Sequence, residues 1–317
     1  MKAVVIYQAG GPDKLIYQDV PTPQVKPGWS LVKVKGFGIN HSEIFTRKGL
    51  SPVHFPRILG IECVGEIAVT TDPEHLPVGH KVVSIMGEMG RKFDGSYAEY
   101  VLLPNDQIYP VDTNLDWATL ATIPETYYTA FGSLLNLKLQ NDNQVLVRGG
   151  SSGVGIAFLN LVKGMFPQIK VVGTTRNDHK RPQLLAAGYD DVITDQDGQL
   201  QTDQKFSKVL ELIGPLTVKD SFKHTLPGGI VCSTGELGNQ WYLDQFDPIM
   251  DIVTNGYLTS FYSGTVNQEK LNQLFATIEK YAIDIKPEKI FSLKEVPDAH
   301  RYLESSHSLG KVIVLNK

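Results

Sequence analysis

The chain has 317 residues, a formal net charge of −4 and a hydrophobic fraction of 42%. A chain of this length is expected to form about two domains, and its composition is typical of a globular protein rather than a disordered or fibrous one. The slightly acidic balance lacks the basic excess of proteins that bind nucleic acids or membrane surfaces, so we expect neither partner.

Cysteine usage and hydropathy indicate the cellular compartment. Cys63 and Cys232 are the two cysteines, and neither has a second Cys or a His nearby at metal-ligand spacing. The N-terminus lacks the apolar segment of a signal peptide, and no apolar run of about 18 residues occurs in the sequence. We therefore predict two buried thiols in a cytoplasmic protein.

The first hundred residues contain short strand-like segments separated by turn residues, and they predict a β-rich unit. In chain order these segments are KAVVIY, SLVKVKGFGIN, LGIECVGEIAV, GHKVVSIMG and GSYAEYVLLP. The pattern changes near residue 124, because IPETYYTAFGSLLNL places apolar residues at helical spacing after a Pro-Glu-Thr start.

Strands and helices alternate from there onward. Strands are predicted over 144–150, 169–175, 191–194, 208–214, 228–235 and 256–263, and helices over 152–166, 178–187 and up to residue 226. Such alternation requires βαβ crossovers, which predict an α/β fold with a doubly wound, parallel Rossmann sheet. The polar run TDQDGQLQTDQK (194–205) is predicted to be a solvated surface loop. The tail is predicted to form two helices and a last strand.

The stretch VRGGSSGVG (147–155) lies directly between a predicted buried strand and a predicted helix. Unpaired backbone N–H groups and the positive end of a helix dipole meet at such a turn, where a pyrophosphate can bind. The first and last glycines of the dinucleotide fingerprint are present, whereas a serine replaces its middle glycine. A tight turn without a ligand is the alternative. We predict that the residues of this turn bind the cofactor: Gly150, Ser151, Ser152, Gly153, Val154 and Gly155. The hydroxyls of the two serines would add donors for phosphate oxygens.

The end of the second strand, GTTRNDHKR, predicts which dinucleotide binds. An Asp or Glu at this place would hold the ribose hydroxyls of NAD and repel a 2′-phosphate. Thr174 and Thr175 stand there instead, Arg176 follows, and Lys180 lies one helical turn beyond. Because Arg and Lys both bind phosphate, Thr174, Arg176 and Lys180 are predicted to bind NADPH. The alternative is a solvated helix start.

Eight segments, in their order and spacing, carry a resemblance to a known family: MKAVVI, GFGINHSEIFTRKG, FPRILGIECVGEI, VGHKVVSIMG, DGSYAEYVLLP, IPETYYTAF, GGSSGVG and GKVIVL. The chain resembles the zinc-free quinone oxidoreductase (zeta-crystallin-like) branch of the medium-chain dehydrogenase/reductase superfamily. The resemblance implies a GroES-like, β-rich catalytic domain of residues 1–123 and 264–317. It further implies an inserted Rossmann NADPH-binding domain of residues 124–263, an active site in the cleft between the two, and a homodimer.

Zinc enzymes of that superfamily carry a Cys at the position of Asn40 and a His at the position of Ile61. The chain keeps the neighbouring Glu62 but has neither ligand, and residues 70–95 contain no cysteine. A catalytic zinc needs about three protein ligands of N, S or O type, and Ile61 cannot serve as one. We therefore predict no metal site, and we interpret Glu62 as a structural hydrogen-bond acceptor.

The resemblance also implies roles for residues outside the glycine-rich turn. Asn40 is predicted to be catalytic and to contact the cofactor beside the nicotinamide ribose, and Tyr262 is predicted to do both at the acceptor pocket. Thr129 is predicted to bind the cofactor on its nicotinamide side. Ser233 is predicted to bind the cofactor for a different reason, because it ends the fifth strand and the carboxyl ends of parallel strands face the ligand crevice. The alternatives are a turn residue for Asn40, a hydroxyl bonded to its own helix for Thr129, and packing for Tyr262.

These residues together favour one reaction class. Without a metal to lower the pKa of an alcohol, reduction of a conjugated acceptor is the easier reaction. We predict an NADPH-dependent, zinc-independent oxidoreductase that transfers hydride to a small quinone or α,β-unsaturated carbonyl, with no residue standing out as general acid. A 2-enoyl thioester reductase and a non-catalytic NADPH-binding sensor are the alternatives.

Overall fold

The computed structural model describes residues 1–305 and 307–316. The first part of the chain forms β1 (Lys2–Ile6), β2 (Leu15–Asp19), β3 (Trp29–Gly38), α1 (His41–Arg47), β4 (Arg57–Ile58), β5 (Glu62–Val69), β6 (Lys81–Ile85), β7 (Tyr100–Pro104), β8 (Tyr109–Pro110) and α2 (Trp117–Thr122). The middle part forms α3 (Thr126–Leu137), β9 (Gln144–Arg148), α4 (Gly153–Met165), β10 (Lys170–Thr175), α5 (Arg181–Ala186), β11 (Asp191–Gln196), β12 (Gln199–Leu200), β13 (Phe206–Glu211), α6 (Val218–Lys223), β14 (Thr225–Ser233), α7 (Pro248–Asp251) and β15 (Tyr257–Ser260). The last part forms α8 (Gln268–Lys280), β16 (Lys289–Ser292), α9 (Val296–Glu304) and β17 (Val312–Leu315).

The chain folds into two compact units. The first contains Met1–Glu125, Ser263–Gln273 and Ile285–Lys317, and the second contains Thr126–Tyr262 and Leu274–Asp284. The boundary therefore passes through α8.

The first unit is β-rich, as its turn-separated segments predict. Its large sheet has the order β16-β17-β3-β5-β6-β8, with β7 also paired to β3, and a smaller sheet has the order β2-β1-β4. The long strand β3 is the centre of the large sheet, because it pairs antiparallel with β5, β7 and β17. Its apolar residues Val32, Val34 and Phe37 are buried in the core of this unit.

The second unit contains the predicted doubly wound sheet, in the order β12-β11-β10-β9-β13-β14-β15. All neighbouring pairs are parallel except β11 and β12. The central strand β9 is apolar on both faces, and its Val145, Leu146 and Val147 are fully buried, as expected for a strand covered on both sides. Parallel strands place the ends of β9, β10 and β14 along one edge of the sheet, and the predicted α/β fold class is confirmed.

The polar run 194–205 differs from its prediction as a solvated loop. β11 continues to Gln196 and pairs with β12 in an antiparallel hairpin. Asp195, only 4% exposed, accepts a hydrogen bond of 2.7 Å from Nε of the buried Arg148. The loop prediction is wrong at this end of the run, because a buried guanidinium requires a carboxylate partner inside the fold.

Two further predictions concern the chain as a whole. Cys63 and Cys232 are both buried and free, which confirms their interpretation as buried thiols. Over residues 1–305 and 307–316, no helix has the length and apolar character needed to cross a membrane.

Candidate functional site

A closely packed glycine-rich turn joins the end of β9 to the start of α4. Gly149 has a φ of +89°, a left-handed value that favours glycine. A Cβ on Gly155 would lie 2.8 Å from the carbonyl oxygen of Gly149, and one on Gly150 would lie 3.1 Å from the amide nitrogen of Thr174. A side chain at Gly150 would therefore push the turn away from β10, and one at Gly155 would push the start of α4 away from the turn.

Ser152 stabilises this turn from within. It is the N-cap of α4, and its hydroxyl accepts a hydrogen bond of 3.1 Å from the N–H of Gly155. The same hydroxyl donates to the carbonyl oxygen of Gly149 at 2.8 Å. A hydroxyl has one proton, so Ser152 has none left for the phosphate contact that the sequence suggested.

Three backbone amides remain as donors at the start of α4. The N–H groups of Ser151, Gly153 and Val154 have no acceptor among the residues that the structure describes. They lie at the positive end of a 13-residue helix, where unpaired N–H groups and the helix dipole favour an anion. The turn thus fits the pyrophosphate of a dinucleotide, which these amides would hold.

Tyr189 stabilises the glycine-rich turn by hydrogen bonding. No role for this residue was predicted from the sequence. Its buried hydroxyl lies 3.0 Å from the carbonyl oxygen of Gly150 and 3.1 Å from that of Gly155, and its one proton is shared between these two acceptors. Burial raises the pKa of this phenol, so it stays protonated as a donor. The ring also covers Gly173, where a Cβ would come within 2.9 Å of it.

Thr174, Arg176 and Lys180, at or after the end of β10, differ in their contacts and exposure. The hydroxyl of Thr174 accepts from the N–H of Gly149 at 3.0 Å, and it thereby ties β10 to the glycine-rich turn. Arg176 is exposed and makes no hydrogen bond or ion pair with any described residue. Lys180 is 9% exposed, in the short helical turn before α5. Of these two cations, Arg176 is therefore the one that is exposed to a ligand.

Thr129 and Ser233 lie near each other through an intermediate serine. The carbonyl oxygen of Thr129, in α3, accepts from the hydroxyl of Ser133 at 2.8 Å. The same hydroxyl lies 3.0 Å from the hydroxyl of Thr234, which directly follows Ser233 at the end of β14. The predicted positions from α3 and β14 are thus brought to one place in the second unit.

Tyr262 follows β15 by two residues and is 69% exposed. Its neighbour Phe261 packs against Tyr128, with a ring centroid distance of 5.8 Å. Packing in this segment is therefore done by Phe261, and the Tyr262 ring is open to solvent.

Asn40 is held by a buried polar cluster in the first unit. Its Nδ2 donates to Glu62 Oε1 at 2.8 Å, and Glu43 Oε1 lies 3.4 Å from the same nitrogen. Its Oδ1 accepts from the ammonium of Lys311 at 2.6 Å, and that ammonium also donates to Glu62 Oε1 at 2.5 Å. The amide can face only one way, because Lys311 is a donor and Glu62 an acceptor. The interpretation of Glu62 as a structural acceptor is confirmed.

A glycine makes room for this cluster. At Gly38, the last residue of β3, a Cβ would lie 2.0 Å from Lys311 Cε and 2.4 Å from Glu62 Oε1. Any other residue at Gly38 would displace the lysine.

Burial determines the protonation of the cluster. It raises the pKa of Glu62 to about 7, even though the charge of Lys311 acts in the opposite direction. It raises the pKa of Glu43 to about 8, and the charge of Glu62 adds to that shift. Glu43 therefore carries a proton at neutral pH, and Lys311 is the cation of the cluster.

The cluster does not fit a zinc ion. Over the described part of the chain, no group of three or more His, Cys, Asp or Glu side chains could hold a metal. Ile61 is apolar and 3% exposed, and Asn40 is already bonded to Lys311 and Glu62.

Sequence reasoning did not assign roles to Lys311, Glu43 or Tyr189. The signal for Lys311 was a charged residue directly ahead of the apolar strand VIVL. Asn40 is the N-cap of α1 and Glu43 lies three residues later in that helix, so their proximity could have been inferred. Nothing in the sequence around Tyr189 indicates its contact with the glycine-rich turn.

Two family models match the chain. Residues 26–113 match the alcohol dehydrogenase GroES-like domain, and residues 187–314 match a family described as zinc-binding dehydrogenase. The first match confirms that the β-rich unit is GroES-like.

Known proteins match over nearly the whole chain. A quinone oxidoreductase of Sus scrofa is 25% identical over 99% of this chain and 98% of its own. An NADPH-dependent alkenal/one oxidoreductase of Arabidopsis thaliana, a chloroplastic protein, is 26% identical over 99% of this chain and 79% of its own. The solved structure of a quinone oxidoreductase from Coxiella burnetii has a TM-score of 0.83 and 25% identity, over 100% of this chain and 99% of that one. The chain is therefore an oxidoreductase of the medium-chain dehydrogenase/reductase superfamily, and it belongs to the quinone oxidoreductase branch.

Proposed function

We propose that this chain is an NADPH-dependent, zinc-independent reductase of quinones or α,β-unsaturated carbonyls. The observation that carries the proposal is the glycine-rich turn, with its free amides at Ser151, Gly153 and Val154 and the unpaired Arg176 at the end of the next strand. These groups offer donors to a pyrophosphate and a cation to a further phosphate.

The choice of NADPH over NADH rests on the end of β10. No acidic side chain stands at Thr174 or Thr175, where one would hold the ribose hydroxyls of NAD. Arg176 has no carboxylate partner among the described residues, so its charge is available to a 2′-phosphate. Thr174 contributes by fastening the turn, while Lys180 adds positive charge from a mostly buried position.

The reaction class rests on the cluster around Asn40. NADPH, when bound, supplies a hydride, and the acceptor gains that hydride together with a proton. The chain's part is to orient the reactants and to offer hydrogen bonds to the oxygen that gains negative charge. Asn40 is fixed for such a role by Lys311 and Glu62, and the buried Glu43 holds a proton in the same cluster.

The other predicted contacts and properties are also proposals. We propose Thr129, Ser233 and Tyr262 as further contacts of the cofactor and the acceptor. The cytoplasmic location, the homodimer and the domain boundaries 1–123 and 264–317 against 124–263 stay predictions from the sequence and its resemblance.

The cofactor choice can be tested by removing the free cation. We expect Arg176→Ala to raise the Kd of NADPH by about 10- to 100-fold, the usual effect of losing a hydrogen bond between charged groups, and to leave the Kd of NADH within about twofold. Fluorescence titration of both nucleotides measures this. Lys170→Ala, at the opposite end of β10, is the matched control and should change neither value. Equal Kd values of the wild type for NADPH and NADH would contradict the role of Arg176.

The reaction is tested with the same preparations. NADPH oxidation is followed with a quinone, a short enone and an enoyl thioester in turn. Turnover of the quinone or the enone supports the proposal. Turnover of the thioester alone favours a 2-enoyl thioester reductase, and binding without turnover favours a sensor.

A further inference from the structure

A loop with left-handed backbone lies against the polar cluster of the first unit. In the segment from Met86 to Gly90, the φ values are +59° for Met86, +59° for Gly87, +71° for Glu88 and +74° for Gly90. Such values are unfavourable for Met and Glu, and strain of this kind persists where surrounding contacts require it.

The contacts that hold this loop come from the segment around Ile61. The N–H of Met86 donates to the carbonyl oxygen of Ile61 at 2.6 Å. Gly90 approaches so closely that a Cβ there would lie 2.6 Å from the carbonyl oxygen of Gly60. The loop is therefore fastened next to the residue that stands where the zinc relatives have a histidine.

Arg91 directly follows this loop. It is half-buried, and its Nη2 donates to the hydroxyl of Ser42 at 2.5 Å. Ser42 lies two residues after Asn40, so the guanidinium is carried to the same end of α1 as the proposed catalytic residue. Its Nε is buried without a hydrogen-bond partner.

The charge of Arg91 is uncompensated. Arg47, Arg57 and Arg148, which are also buried or half-buried, each have a carboxylate within 3.0 Å. Arg91 has no carboxylate within 4.0 Å among the residues that the structure describes. Withdrawing a cation from water without an anionic partner is unfavourable, and a bound anion would remove that cost.

We propose that Arg91 binds a carboxylate of the substrate, so that the acceptors of this enzyme are conjugated carbonyl compounds that carry an acid group. The inference rests on the proposed function for the conjugated carbonyl, but the carboxylate contact rests on Arg91 alone. A guanidinium has paired N–H donors in a plane, which match the two oxygens of a carboxylate. Ser42 accepts from one of these donors and so restrains the position of the guanidinium.

A matched pair of acceptors tests the inference. 4-Oxopent-2-enoate and pent-3-en-2-one share the enone and differ in a carboxylate against a methyl group. We expect the wild type to have a kcat/KM about tenfold or more higher for the acid. Arg91→Met should lower kcat/KM for the acid by at least about tenfold and change that for the neutral enone by less than about twofold. Arg91→Lys keeps the charge and should recover part of the loss.

Lys92→Met is the control, because it removes an exposed cation from the next position in the chain and should alter neither rate. Calorimetric titration with 4-oxopent-2-enoate, without nucleotide and with NADP⁺, measures binding apart from turnover. Thermal unfolding of each variant shows that the fold is kept.

The outcomes separate the two proposals. Binding of the acid that depends on Arg91, with no turnover of either enone, would contradict the proposed function and support the carboxylate contact. Turnover of both enones with equal kcat/KM, or an equal loss for both in Arg91→Met, would overturn the contact and leave the proposed function standing. If Arg91→Met alone does not fold, the test is decided by Arg91→Lys and by the ratio of kcat/KM for the acid to kcat/KM for the neutral enone in the wild type.

Discussion

Replacing Lys311 by methionine tests how much the Lys311 ammonium contributes to the stability of the buried cluster around Asn40. Methionine keeps an unbranched apolar stem but removes the ammonium that lies 2.5 Å from Glu62 Oε1 and 2.6 Å from Asn40 Oδ1. Removing one partner of a buried ion pair costs about 3 to 5 kcal/mol, because the other charge is left buried and uncompensated. We expect Lys311→Met to lower the free energy of unfolding progressively toward that amount as the pH rises and Glu62 ionises.

The cost depends on pH in a definite direction. When the pKa of a carboxyl is higher in the folded protein than in the unfolded chain, the protein loses stability as the pH rises from the unfolded-state pKa to the folded-state pKa. For Glu62 this loss runs from pH 4.5 to about 7 in the wild type, and without Lys311 it continues above pH 7. The difference in the free energy of unfolding between wild type and variant therefore grows above pH 7 by about 1.4 kcal/mol per pH unit. At about pH 8.5 the added difference is about 2 kcal/mol.

Urea unfolding at about pH 5.5 and about pH 8.5 measures this difference. Adding Glu62→Gln to Lys311→Met removes the uncompensated charge and should abolish the pH dependence. Lys35→Met is the control, because the ammonium of Lys35 lies 3.1 Å from Glu66 at a partly exposed site, where a pair contributes about 1 kcal/mol or less. An equal loss for Lys311→Met at both pH values would refute the reasoning.

Two more predictions follow from buried groups. Tyr189→Phe removes the hydroxyl whose proton is shared between the carbonyl oxygens of Gly150 and Gly155. The free energy of unfolding should therefore fall by about 1 to 2 kcal/mol and the Kd of NADPH should rise, as urea unfolding and nucleotide titration would show. An unchanged stability would argue against this hydrogen bond. Glu43→Gln is a neutral match for a carboxyl whose pKa is raised to about 8, so the wild type should lose stability relative to the variant as the pH rises from 4.5 to 8. Thermal unfolding across that range checks it, and a constant difference would count against the buried, protonated carboxyl.

Local pattern was enough to predict the parts of the fold that depend on neighbouring residues. The run VLVR ahead of GGSSGVG has a buried strand and a glycine-rich turn next to each other, and the structure has both where they were predicted. The fold class followed because parallel strands need crossover helices of their own, and the alternation of apolar segments shows them. The hydroxyl of Ser152 was given a ligand role because its capping of α4 depends on a turn geometry that spacing does not reveal.

Contacts between residues that are distant in the sequence could not be predicted from the sequence. Lys311 and Asn40 are separated by 271 positions, and only the pairing of β17 with β3 brings them together. Asp195 was placed in a solvated loop because its polar neighbours hide the buried Arg148 that binds it. A charged residue at the edge of an apolar segment signals such a partner, but periodicity cannot say which residue the partner is.

The most direct test of the account is NADPH oxidation by the purified protein with a quinone or an enone, in the presence of a zinc chelator and alongside metal analysis. The account predicts turnover that the chelator leaves unchanged, in a protein with substoichiometric zinc. Stoichiometric zinc together with loss of turnover in the chelator would contradict it.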